Sequence, residues 1–138
     1  MTPSLHLRLS DLAELGAIID QLRAWAAAQG VPVEIQRELH LAVDEIVTNI
    51  FRHGYGEGVK ENVDLVVSAG ENVEIEIRDR AQPFNPLERP APDITQPPET
   101  REIGGLGVYF VRQLMDDVAY TRAGGENRVR LTRRIERR

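Results

Sequence analysis

The sequence predicts an α+β sandwich with helices packed on one face of a sheet. Runs that alternate apolar and polar residues, the period of a half-buried strand, fall near 4–9, 63–67, 73–77, 118–121 and 128–135. Two longer runs place apolar residues three and four apart, the period of an amphipathic helix, and a third helical run follows a glycine cluster at 104–107. The resulting order is strand, helix, helix, strand, strand, flap, helix, strand, strand. It gathers the helices on one side of a sheet.

SLHLRL at 4–9 is the first strand. Ser10 and Asp11 then supply an N-cap and an acidic first turn for a helix stopped by Gly30, with Leu12, Leu15, Ile18, Ile19, Leu22 and Trp25 as its apolar stripe. Pro32 suits the first turn of the second helix. That helix carries Ile35, Leu39, Ala42, Val43, Ile46 and Ile50 at helical spacing and ends near Gly54 and Gly56. Ala-Gly-Glu-Asn at 69–72 reads as a hairpin turn between strands built on Val63, Leu65, Val67 and on Val73, Ile75, Ile77. After Asp79 the periodicity stops, and six of the eight prolines fall between Pro83 and Pro98. A long stretch of this kind inside a compact domain is usually functional or disordered, and about 80–103 is read as a flexible flap. Val108 to Met115 is helical, and a turn at Gly124 and Gly125 joins the last two strands.

The chain has 138 residues, enough for one domain that buries roughly two-thirds of the surface of its unfolded chain. It has no cysteine, which excludes disulfides, zinc–thiolate sites and a cysteine nucleophile. His6, His40 and His53 are too scattered to propose a metal cage. A net charge of −5 argues against a nucleic-acid binder and favours a protein or small-molecule partner. The C-terminal arginines, Arg122, Arg128, Arg130, Arg133, Arg134, Arg137 and Arg138, read as a solvated strand face and a frayed tail rather than a docking patch. The start has neither the charged nor the apolar run of a signal peptide, and no segment approaches membrane-spanning length, so a cytoplasmic location is expected.

Three clusters carry chemistry. In HLAVDEIVTNIFRHGYG, residues 40–56, Glu45, Asn49 and His53 recur at a spacing of four, which stacks them on one helix face. Asn can give one oxygen to Mg²⁺ while phosphates and water give the rest, and Glu45 can accept a hydroxyl proton. Taken alone, the pair also reads as polar residues at the edge of an amphipathic helix. Asp79 ends the strand IEIRD, where a carboxylate can accept from an exocyclic amine such as that of adenine, or simply cap a turn. The third cluster, GGLG at 104–107, lies directly before a helix; its glycines allow close backbone approach to a polyphosphate, or serve as a hinge. It fits neither the P-loop nor the dinucleotide-binding pattern.

In combination, DEIVTNIFRHGYG, IRDRAQPFNP and GGLGVYFVRQLMDDV resemble the three nucleotide-binding boxes of the histidine-kinase-like ATPase superfamily. Within it they are most similar to the anti-sigma factor serine/threonine kinases of the general-stress and sporulation type, and the resemblance spans almost the whole chain. It implies a mixed, mostly antiparallel sheet covered on one face by three helices, as a single domain over 1–138 with an ATP lid at about 80–103. It implies ATP and Mg²⁺ as cofactors, with Glu45 as catalytic base and Asn49 linking Mg²⁺ to the phosphates. Asp79 becomes the contact to the adenine amine, and Ala81, Phe84, Gly104, Gly105, Leu106 and Gly107 complete the nucleotide-binding set. His53 and Tyr55 match too, with a packing role at the helix end equally open to them. Ala81 departs from the family's D-x-G: if that glycine needs a positive φ, alanine strains the turn, and if it needs only small size, alanine is harmless.

The function so implied is ATP-dependent phosphorylation of a small anti-anti-sigma antagonist together with binding of a sigma factor. Members of the resembled family are often dimers, and the first helix and strand are available for a homodimer contact. The alternative is a partner-switch module that binds ATP or ADP without kinase turnover, which Ala81 and the proline-rich lid mildly favour. A two-component histidine kinase fits less well, because only about thirty residues precede the second helix where an upstream phospho-accepting hairpin is expected.

Overall fold

A computed structural model describes residues 2–56, 61–88 and 105–135, with the side chains of 105 and 106 excepted. Strand β1 (Ser4–Leu9) leads through a short 3₁₀ turn (Leu12–Glu14) into α1 (Leu15–Ala28) and α2 (Val33–Asn49). A π-helical turn (Ile50–Tyr55) extends α2; then come β2 (Val63–Ala69), β3 (Asn72–Asp79), α3 (Gly105–Leu114), β4 (Asp117–Ala123) and β5 (Glu126–Arg134). The strands form one sheet in the order β1-β2-β3-β5-β4. Each neighbouring pair is antiparallel, so the mixed sheet that was expected is antiparallel throughout the described residues.

The period of two decides which face is covered. Val63, Leu65 and Val67 of β2, Val73, Ile75 and Ile77 of β3, and Val129 and Leu131 of β5 are all buried and share one side. They meet Ile35, Leu39, Ala42, Val43, Ile46 and Val47 of α2, which lies centrally between α1 and α3. Each such side chain contributes roughly 1.5–3 kcal/mol by leaving water, which fixes both the sheet register and the rotation of α2. The other sheet face is polar and laced by ion pairs, among them Arg8–Asp64 at 2.7 Å, Arg78–Glu76 at 2.6 Å and Arg128–Glu126 at 2.9 Å.

Element ends follow local chemistry. Asp11 accepts from the N–H of Ala13 and caps the 3₁₀ turn, so the regular helix starts at Leu15 rather than beside Ser10. Gly124 and Gly125, at φ of 60° and 77°, make the tight β4–β5 hairpin. The π turn was not expected. It widens the last stretch of α2 before Gly56, at φ 96°, releases the chain.

Candidate active site

Helix α2 buries one flank and leaves the next open. Glu45 and Thr48 are half-buried and Asp44, Arg52 and His53 exposed, and with Asn49 they line a cleft of about 670 Å³ closed on its far side by Leu12, Leu15 and Gly16. Asn49 was expected at a site edge; it is instead 3% exposed, and its Nδ2 has no hydrogen-bond partner. An orphaned buried amide costs stability unless a ligand oxygen meets it. The arrangement therefore fits an anion seated on Asn49.

The start of α3 closes on the same flank. A β-carbon at Gly107 would overlap the carboxyl carbon and both oxygens of Glu45, so that carboxylate lies directly against the Gly107 backbone. Only glycine permits this approach. The first N–H groups of α3, which opens at Gly105 and includes Leu106, have no partner within the helix, the arrangement that favours anions. Gly104 and positions 89–103 of the expected lid lie outside the described residues.

The second half of the site is built on β3 and β5. Asp79 occupies the inward phase set by Val73, Ile75 and Ile77 and stands in register with Asn127 on β5. It is 2% exposed; its Oδ1 accepts from Ala81 N at 3.0 Å and Asn127 Nδ2 at 2.9 Å, while Oδ2 has no partner. Burial raises its carboxyl above the usual range, against the opposing pull of those two hydrogen bonds and of Arg122. A buried acceptor without a donor fits an amino N–H.

Asn127 is a hub that sequence reasoning missed. Its Nδ2 also donates to Gln82 O at 3.0 Å, and its Oδ1 accepts from Tyr120 Oη at 2.5 Å, Arg122 Nη1 at 3.1 Å and Phe84 N at 3.3 Å. Arg122 Nη1 also reaches Ala81 O at 2.7 Å. Arg122 is exposed, as a solvated arginine face implies, yet its guanidinium also braces the turn after Asp79. The overlooked signal was phase: Asn127 sits in the buried register of Val129 and Leu131, where an isolated polar residue needs partners.

The two halves meet at the π turn. A β-carbon at Gly54 would lie 3.2 Å from Phe84 Cδ2 and 3.6 Å from Ala81 Cβ, and the His53 and Phe84 ring centroids are 6.5 Å apart. Tyr55 ties the turn to the exit of β3, its hydroxyl accepting from Arg80 N and donating to Asn62 O, each at 2.8 Å. No described non-glycine residue has a positive φ, so Ala81 sits without backbone strain and its methyl fills the space that Gly54 leaves. Among the described residues no three His, Cys, Asp or Glu side chains could hold a metal ion, so a cation at Asn49 would draw its other oxygens from phosphate and water. No described helix is long and apolar enough to cross a membrane.

The family model of the histidine kinase-like ATPase domain matches residues 9–133. The chain belongs to that family. Among curated relatives, the serine-protein kinase RsbW of Bacillus thuringiensis (strain Al Hakam) is 32% identical over 96% of this chain and 86% of its own length. Among solved structures, that of the RsbU and RsbW domains of a Mycobacterium tuberculosis protein shares the fold with a TM-score of 0.70 at 22% identity, covering 99% of this chain and 34% of that one. The histidine kinase domain of an Erythrobacter litoralis blue-light activated histidine kinase shares it with a TM-score of 0.55 at 21% identity, over 88% of this chain and 61% of that one.

Proposed function

We propose that the protein is an anti-sigma regulatory factor that moves the γ-phosphoryl group of ATP to a serine or threonine of a small antagonist protein in the cytoplasm and also binds a sigma factor. Its class, protein serine/threonine kinase, is supported by relatives named serine-protein kinase that match nearly the whole chain. The observation that carries the reading is the Glu45 carboxylate lodged against Gly107, which sets a base beside a helix start able to receive phosphate.

Asp79 accepts from the adenine amine through Oδ2, with Ala81 and Phe84 beside it at the base. Asn49 donates Nδ2 to a phosphate oxygen, and the N–H groups from Gly105 to Gly107 hold the polyphosphate. Glu45 takes the proton of the acceptor hydroxyl as its oxygen bonds to the γ-phosphorus, and the bond from that phosphorus to the bridging oxygen of ADP breaks. When bound, Mg²⁺ on the Asn49 oxygen would neutralise charge on the group in transit. The segment at about 80–103 serves as the ATP lid, within a single domain spanning 1–138. A nucleotide switch without turnover loses one of its supports, because Ala81 imposes no strain. Incubation with γ-labelled ATP and the cognate antagonist tests the reading: label moves to the antagonist, and a Glu45→Ala variant transferring as fast as the parent would sink it.

A further inference from the structure

Helix α2 and the π turn that extends it carry two rows, one residue out of step: Glu45, Asn49 and His53, and beside them Asp44, Thr48 and Arg52. Both rows line the cleft whose other wall is Leu12, Leu15 and Gly16, and in the second row Asp44 and Arg52 are exposed with no hydrogen bond or ion pair among the described residues. Resting on the kinase reading, we propose that this row is the acceptor groove, holding an extended segment of the protein substrate with a carboxylate of the substrate on Arg52 and a cationic side chain on Asp44.

The dimensions suit that occupant. Eight positions along α2 and its π-helical extension separate the two charges by about 12 Å at most, the span of roughly four extended residues. A hydroxyl midway between them lies over Thr48, beside Glu45 in the neighbouring row. Opposite charges at the two ends of one groove give it a direction, since a reversed segment would set like charge against like at both ends. The opposing wall adds a second observation. A β-carbon on Gly16 meets nothing within 4 Å, so this stretch of the wall borders open space wide enough for a further chain.

The test uses the whole isotopically labelled chain, saturated with Mg²⁺ and a non-hydrolysable ATP analogue. It is titrated with two serine peptides, Ala-Lys-Ala-Ser-Ala-Glu-Ala and Ala-Glu-Ala-Ser-Ala-Lys-Ala. One order is expected to bind about tenfold tighter, the size of two part-exposed ion pairs gained against two like-charge pairs, and to shift the amides of Gly16, Thr48 and Arg52. The double variant Asp44→Arg/Arg52→Glu should reverse the preference, and Gly16→Phe should weaken both peptides. Equal binding, no binding, shifts confined to other surfaces, or the same order in the double variant overturns the groove. The nucleotide titration separates the two readings: if Asn49 and Asp79 do not respond to it, the kinase reading fails, and if they respond without peptide order, only the groove does.

Discussion

Asp79 and Asn127 face each other in register across β3 and β5, and one amide hydrogen bond of 2.9 Å joins them. Because the same amide also holds Gln82, Phe84, Tyr120 and Arg122, its removal strands several buried groups at once. Asn127→Ala is expected to cost about 3 kcal/mol in denaturant unfolding, the upper range for a broken buried network. It should also weaken ATP binding in calorimetry, although it is not expected to touch the nucleotide.

Asp79 sets a pH dependence of opposite sign for folding and for binding. Its carboxyl is raised above 3.8, chiefly by burial, so the folded state holds that proton more tightly than the unfolded chain. The stability it contributes to the free protein is fully present below the unfolded value and is lost as pH rises through the folded one. On the proposed contact, in which the ionised Oδ2 accepts from the adenine amine, the Kd for ATP should rise as pH falls through that same raised value. Titrations of Tm and Kd across the acid range check both, and Asp79→Asn should flatten the two curves.

Gly107→Ala puts a methyl where the Glu45 carboxylate lies. The methyl meets only the end of the Glu45 side chain, so that carboxylate is expected to swing aside at little cost in Tm while leaving its place beside α3. On the proposed role of Glu45 as base, displacing the carboxylate should lower phosphoryl transfer toward the level of Glu45→Ala, about 10²–10⁴-fold down, and adding Glu45→Ala to Gly107→Ala should lower it little further. A thermal melt and a transfer assay on the four species of this cycle give the answer.

Ala81→Gly recreates the family's D-x-G and should gain nothing. With no positive φ to relieve, it adds freedom to the unfolded chain and costs about 0.4–1 kcal/mol. Nucleotide affinity in calorimetry should stay within about twofold, well under the 1.4 kcal/mol of a tenfold change.

Asn49→Leu exchanges an unpartnered buried amide for an apolar group of like shape. The free protein should become more stable by about 1 kcal/mol while Mg-ATP binding is lost. Unfolding and calorimetry on the same preparation would show the trade.

Much of this architecture was legible because burial repeats. The alternation of Val63, Leu65 and Val67, or of Val73, Ile75 and Ile77, leaves each strand one way to face a core, and β1 runs over Ser4–Leu9 as read. The glycine box and the Glu45–Asn49 spacing are local patterns, and they too could be read. Contacts between distant segments could not. Nothing near Arg122 in the chain says that it reaches Ala81 across the sheet edge, and Asn127 is one polar residue in an apolar phase. The π turn escaped because a 3.6-residue period cannot register a wider stretch, and Asn49 looked peripheral because its neighbours across the helix were unknown.

The pairing of β3 with β5 has a consequence for how the protein is made. Asp79 and Asn127 are 48 residues apart in the chain, so a long loop must close before they can meet. The closure entropy of so long a loop is spent before the Asp79–Asn127 contact rewards it, so the pocket proposed for the base is expected among the last contacts formed. A ligand bound there recognises only the completed fold, and at a hundredfold excess over its Kd it would hold that fold by about 2.7 kcal/mol. In a cell, the supply of such a ligand would then set the working lifetime of the protein as well as its occupancy.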